Sequence, residues 1–106
     1  ATDLPLTSRQ LKRILKRTGV GIARTGGYTG HGSGEVMIGF TTANRIPSGC
    51  EEELLQLSAI PEHVINRAFL AAAEAEQEAI LNSMTARGRD GELYYSLAEY
   101  LNDRNA

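Results

Sequence analysis

The sequence has very little cysteine, histidine or tryptophan. Its 106 residues include one cysteine (Cys50), two histidines and no tryptophan. A single cysteine excludes an internal disulfide and is typical of a reducing compartment. No apolar run approaches the roughly 20 residues of a transmembrane helix, and no secretory or transit peptide is recognisable. We therefore expect a cytoplasmic protein with no membrane partner.

The length and composition are those of one small globular unit. Hydrophobic residues make up 42% of the chain and charged residues 23%, which is ordinary for a folded domain. A chain of this size buries only a modest core. We interpret residues 1–106 as a single domain or as a fragment of one.

Charge is divided unevenly along the chain. Residues 1–45 carry seven basic and two acidic side chains and residues 46–106 carry four and eleven, so the two parts have net charges of +5 and −7. The clustered basic residues are Arg9, Lys12, Arg13, Lys16 and Arg17. A nucleic-acid surface uses such residues, but no reader motif or interleaved aromatic residue accompanies them. We expect a solvated helix face that complements the acidic part, in this chain or in a neighbouring subunit, and no nucleic-acid partner.

Three segments have helical patterns. Thr7 followed by Gln10 forms a capping box, which predicts a helix that starts there and ends at Gly19. Pro61 predicts the start of a long helix reaching about Met84, and Gly88 and Gly91 are expected to stop it. One apolar face at helical spacing, rich in alanines that allow close packing, is formed by Ile65, Ala68, Phe69, Ala72, Ala75 and Ala79. A second capping box at Ser96 predicts a short helix to about Leu101.

The long helix also carries His63 near its start. No second histidine or cysteine lies at metal-ligand spacing from it. We interpret His63 as a cap or surface residue, and we expect no metal and no cofactor.

Eight of the eleven glycines lie between Gly19 and Gly39. Residues 20–23 fit a short strand or a bend, and residues 36–40 alternate as a β-strand does. A phosphate-binding loop would lead into a helix and not into a strand, so the spacing and context argue against one. With helices around one strand, the sequence predicts an α/β or α+β fold with too few strands to close a sheet alone.

A candidate site precedes that strand. His31, Ser33 and Glu35 alternate with glycines, and in an extended chain alternate side chains point to the same face. All three can donate, accept or carry a proton. The structural alternative is that Ser33 only caps a turn and that Glu35 only pairs with Arg24 or Arg45.

The sequence resembles the C-terminal part of DmpA-type aminopeptidases, which include L-aminopeptidase/D-esterases and β-peptidyl aminopeptidases. The resemblance covers essentially the whole chain in the expected order. The segments that carry it are residues 1–6, 11–13, 23–26, 32–35, 40–44 and 84–91. The resemblance implies a layered αββα fold, of which this chain would be an incomplete part.

The family resemblance also implies a mechanism. In the family, a precursor cuts itself before a serine, which becomes the N-terminal nucleophile and uses its own α-amine as base. That serine belongs on a strand immediately before Ala1, so this chain alone is expected to be inactive. Ser33 and Glu35 match the family's Gly-Ser-Gly-acid motif and are the predicted catalytic residues, with His31 and Gly32 as possible pocket residues.

The implied partners are an N-terminal subunit or segment of the same precursor, a peptide or amino-acid amide substrate, and further copies of the protein in a homo-oligomer. Two other functions stay open at this point. One is a binding or assembly module that keeps the fold without catalysis. The other is acyl transfer to an amine, as in acetyltransferases of similar fold. The encoded sequence before Ala1 would separate them, because catalysis requires the upstream serine.

Overall fold

Four α-helices and one short 3₁₀ turn form the secondary structure of the described part of the chain, residues 1–86 and 96–105 of a computed structural model. In chain order they are α1 (Ser8–Leu15), α2 (Thr18–Arg24), the 3₁₀ turn (Glu62–Val64), α3 (Ile65–Ala86) and α4 (Leu97–Asn105). Helix α3 is the centre of the arrangement, because α1, α2 and α4 all pack against it.

The first helix begins as predicted. The Gln10 amide N–H donates to Thr7 Oγ1 at 3.2 Å, and the Thr7 amide N–H donates to Gln10 Oε1 at 3.1 Å. The Gln10 side chain is buried, and its Nε2 also donates to the Ile60 carbonyl at 2.8 Å. This capping residue therefore also holds the start of the long helix against α1.

The prediction for the next segment was wrong. Helix α1 ends at Leu15 and not at Gly19, and residues predicted as a strand or bend form α2. Packing explains the difference: Gly21 is buried, and a β-carbon there would lie 2.7 Å from the Ala73 carbonyl oxygen of α3. Glycine lets the two helices approach closely, and that contact outweighs its low helix propensity.

The long helix is confirmed, with a shifted start. Pro61 is extended (φ −65°, ψ 145°) and precedes the 3₁₀ turn, and α3 then continues to Ala86. Ala68 is buried as the apolar pattern predicts, whereas Ala75 and Ala79 are exposed. The glycines expected to end this helix, Gly88 and Gly91, lie outside the described residues.

The last helix is also confirmed. The Glu99 amide N–H donates to Ser96 Oγ at 3.2 Å, and the Ser96 amide N–H donates to Glu99 Oε2 at 3.0 Å. Helix α4 then continues to Asn105, beyond the predicted end at Leu101. The capping box therefore fixes the start of this helix but not its length.

Residues 36–40, which the sequence predicts as a strand, form no ladder. The β-pairing within residues 1–86 and 96–105 is a single parallel bridge between Thr2 and Thr41. Its hydrogen bonds run from the Thr2 amide N–H to the Phe40 carbonyl (3.1 Å) and from the Thr42 amide N–H to the Thr2 carbonyl (3.0 Å). A strand requires a neighbour along its length, and Ala1 and Thr2 reach only its end. The described residues form helices but no sheet, so the β part of the predicted α/β or α+β fold is not present in them.

The buried core is small. Within residues 1–86 and 96–105 its apolar members are Leu6, Ile65, Ala68 and Ala73, whereas Val36 and Ile38 are 91% and 87% exposed. The radius of gyration is 19.0 Å, against about 13 Å for a compact domain of this length. These features are typical of a part of a larger fold.

Candidate functional site

Ser33 ends a four-residue turn that begins at Gly30. The Ser33 amide N–H donates to the Gly30 carbonyl at 3.0 Å, and Ser33 Oγ donates to the same carbonyl at 2.8 Å. Gly32, at the third position, has φ +83°, a left-handed conformation that suits glycine. The hydroxyl hydrogen is thus occupied, while the oxygen keeps lone pairs with which to accept a hydrogen bond.

Glu35 follows this turn and is exposed. Among the described residues its carboxylate has neither an ion pair nor a hydrogen bond. Arg24, one of the two expected partners, reaches Gln77 Oε1 at 3.4 Å instead. The Glu35 carboxylate is therefore open to a cation or a donor from outside this chain.

The structural alternative was that Ser33 caps a turn and that Glu35 pairs with an arginine. Ser33 does close a turn, whereas Glu35 pairs with no arginine among the described residues. The catalytic roles of Ser33 and Glu35 stay a prediction. The two pocket candidates, His31 and Gly32, are exposed on the same turn. The structure thus presents all four residues on one exposed loop.

A groove with a volume of about 390 Å³ lies apart from this loop, beside residues 38–40. Its walls include Ala1, Leu15, Ile38 and Gly39, together with Ala68 and Ala72 of α3. None of the four predicted site residues lines it. Sequence reasoning missed this groove, although the run of small residues on α3 indicated that something packs closely there.

Two further observations concern other classes of site. Within residues 1–86 and 96–105, no cluster of three or more His, Cys, Asp or Glu side chains is placed to hold a metal ion. His63 lies exposed in the 3₁₀ turn that precedes α3. No helix of the described residues is both long enough and apolar enough to cross a membrane.

Residues 1–92, which include the site loop and the groove, match the model of peptidase family S58. The chain belongs to this family, and the resemblance to DmpA-type aminopeptidases is confirmed.

The most informative relatives are aminopeptidases. Beta-peptidyl aminopeptidase BapA of Sphingosinicella microcystinivorans is 35% identical over 86 residues. The protein of the same name from Sphingosinicella xenopeptidilytica is 33% identical over 87 residues. Each match covers 81% of this chain and 22% of the relative, so the chain spans about a fifth of their length.

A solved structure extends the likeness to the fold. The crystal structure of the PH0078 protein from Pyrococcus horikoshii OT3 is similar with a TM-score of 0.78 and 47% sequence identity. The match covers 96% of this chain and 30% of that one. The present arrangement of helices and loops therefore corresponds to less than a third of that larger chain.

Proposed function

We propose that this chain is the C-terminal part of a self-processing aminopeptidase with an N-terminal serine nucleophile, acting on N-terminal residues of peptides, amides or esters. The observation that carries the proposal is the family match over residues 1–92, which spans the Gly32-Ser33-Gly34-Glu35 motif. The aminopeptidase names of the relatives support the reaction class. The chain completes a layered αββα fold together with the rest of its precursor.

The chemistry requires a serine that this chain receives from elsewhere. Its hydroxyl attacks the substrate carbonyl carbon while the serine's own α-amine takes the hydroxyl proton and passes it to the leaving amine. Water then hydrolyses the acyl ester and frees the serine. Ser48 lies in a loop, and Ser8 and Ser83 lie in helices, so none of them is an N-terminal nucleophile.

The loop contributes acceptors for the ammonium groups of this reaction. The Ser33 hydroxyl donates its hydrogen bond to the Gly30 carbonyl, so its oxygen is left to accept a hydrogen bond from another group. The Glu35 carboxylate has no partner among the described residues and can hold the ammonium of the enzyme or of the substrate. In this proposal Ser33 orients the nucleophile's proton, Glu35 fixes the amine, and His31 and Gly32 border the entrance.

The proposal includes the setting of the enzyme. The N-terminal part of the same precursor supplies most of the substrate pocket, and the complete protein assembles as a homo-oligomer in the cytoplasm. The exposed apolar side chains of Val36 and Ile38 are consistent with a chain that other polypeptide covers. The 106-residue chain alone has no turnover.

Turnover of an aminoacyl amide by the full-length protein tests the roles of the loop. Glu35→Gln removes the charge but keeps the shape, and we expect kcat/KM to fall at least about tenfold, or about 1.4 kcal/mol of barrier. Glu53→Gln is the matched control, because Glu53 is exposed in another loop. Unchanged turnover in a folded Glu35→Gln protein would remove this residue from the mechanism.

Ser33 is tested in the same assay. Ser33→Ala removes the hydrogen bond from the Ser33 side chain to the Gly30 carbonyl and also removes the acceptor oxygen. Ser48→Ala, the control, removes the exposed hydroxyl of another loop. We expect only the first substitution to lower kcat. Equal activity of the two variants would restrict Ser33 to its structural role in the turn.

A further inference from the structure

The loop that carries the candidate site holds one large apolar side chain, that of Tyr28. Between Thr25 and Glu35 the other residues are glycine, threonine, histidine, serine and glutamate. Tyr28 is 88% exposed, so little in residues 1–86 and 96–105 covers its ring. Ligand pockets combine apolar and aromatic walls with a few placed polar groups. Tyr28 supplies the aromatic part of such a combination beside the polar groups of this loop.

The Tyr28 ring lies against the turn that carries Ser33. A β-carbon on Gly30 would lie 3.0 Å from Tyr28 Cε2 and 3.4 Å from Tyr28 Cζ. The Gly30 carbonyl is also the group that accepts hydrogen bonds from the Ser33 amide and hydroxyl. Gly30 therefore contacts the ring on one side and the Ser33 hydroxyl at its carbonyl, which places the ring at the border of the candidate site.

The backbone between the ring and the turn is strained. Thr29 has φ +55°, and within residues 1–86 and 96–105 it is the one residue other than glycine with a positive φ. A left-handed conformation is unfavourable for a β-branched residue, because its side chain crowds the backbone. Strain of this kind is concentrated at active sites and ligand-binding sites. Here it lies at the link between the Tyr28 ring and the turn.

We propose that Tyr28 is a specificity-determining residue, whose ring receives the side chain of the substrate's N-terminal residue and favours a large apolar side chain such as that of leucine. The inference rests on the proposed function, in which the Glu35 carboxylate can hold the substrate's ammonium. The ammonium and the side chain of an N-terminal residue are bonded to the same carbon atom, so the groups that bind them must be neighbours. Tyr28 and Glu35 belong to the same loop, and the ring is its apolar surface.

Turnover of leucinamide and alaninamide by the full-length protein tests this role. In Tyr28→Ala we expect the ratio of kcat/KM for leucinamide to that for alaninamide to fall at least about tenfold, through a higher KM for leucinamide. Tyr28→Phe should keep the wild-type ratio, because it keeps the ring. Tyr100→Ala is the matched control and should also keep the ratio, since Tyr100 is an exposed tyrosine of α4.

A second variant moves the ring without replacing it. Gly30→Ala places a methyl group 3.0 Å from Tyr28 Cε2, and the ring must move aside because it is the end of a flexible side chain. We expect the preference for leucinamide to fall in this variant too, but by less than in Tyr28→Ala. This variant keeps the test decisive if Tyr28→Ala does not fold.

An unchanged ratio in folded Tyr28→Ala would overturn the inference. An equal fall of kcat with both amides would also overturn it, because the ring would then only support the turn. An equal rise of KM with both amides would mean that the ring binds the ammonium that the two substrates share, and this result would overturn the inference as well.

A binding measurement separates this outcome from that of the proposed function. Leucinol and alaninol carry the same ammonium and the same side chains but no bond to hydrolyse, so calorimetry reports the preference even in an inactive protein. A leucinol preference that Tyr28→Ala removes, in a protein without turnover, would reject the peptidase and keep the role of Tyr28. Normal turnover with a preference that Tyr28→Ala leaves unchanged would do the reverse. Equal binding of the two alcohols by the wild-type protein, or no binding of either, would overturn the inference.

Discussion

The contact between α2 and α3 gives the sharpest prediction about stability, because two glycines of the same helix face different surroundings. A β-carbon at Gly21 would lie 2.7 Å from both the Ala73 carbonyl oxygen and Glu76 Cβ. These atoms belong to a packed helix and cannot move aside. A β-carbon at Gly19 would meet only Met37 Cε, the end of a flexible side chain, at 3.5 Å.

The magnitudes follow from this difference. Overpacking costs about 1–3 kcal/mol, and the backbone contacts place Gly21→Ala near the upper end. Alanine regains about 1 kcal/mol of helix propensity, which leaves a net loss of about 2 kcal/mol. Gly19→Ala receives the same propensity gain with little clash, so we expect a stabilisation of up to about 1 kcal/mol.

Amide hydrogen exchange of α2 in the full-length protein measures both effects. A loss of about 2 kcal/mol corresponds to about thirtyfold faster exchange through local opening in Gly21→Ala. Exchange in Gly19→Ala should be unchanged or up to about fivefold slower. Equal protection of α2 in the two variants would refute the close packing of α2 on α3.

Two further outcomes are expected. Gln10→Met keeps the size of a buried side chain but leaves the Ile60 carbonyl without its hydrogen-bond donor. We expect urea unfolding of the full-length protein to show a loss of about 1–3 kcal/mol in the free energy of unfolding. Arg9→Met, at an exposed position of the same helix, should change this free energy little. The 106-residue chain alone should aggregate or melt without cooperativity, because the apolar side chains of Val36 and Ile38 are exposed in a segment without a partner strand. Sedimentation as a monomer with a sharp melting transition would contradict this expectation.

Local signals in the sequence predicted three of the four helices in the described part of the chain. The capping boxes at Thr7 and Ser96 and the apolar spacing after Pro61 act over three or four residues, so one chain contains all the information they need. Helix α2 was missed because its stability comes from contact with α3, and Gly21 permits that contact. Propensity alone could not reveal it.

The segment over residues 36–40 shows what local signals cannot predict. The alternation over residues 36–40 predicts a strand, but a ladder depends on partner strands, and the described residues supply only the bridge between Thr2 and Thr41. The exposed loop with Ser33 and Glu35 was visible as a motif, and the resemblance to a family identified it as a candidate site. The groove beside Ala1 was not visible, since it arises where residues far apart in sequence meet.

The central claim is that this chain supplies acceptors to a serine nucleophile located before Ala1. Treatment of the full-length protein with an irreversible serine-directed acylating or phosphonylating reagent, followed by peptide mapping, tests it most directly. We predict one labelled serine, at the N-terminus of the shorter product of self-cleavage and upstream of Ala1. Labelling of Ser33 or of another serine within residues 1–106, or an active protein without such an N-terminal serine, would contradict the account.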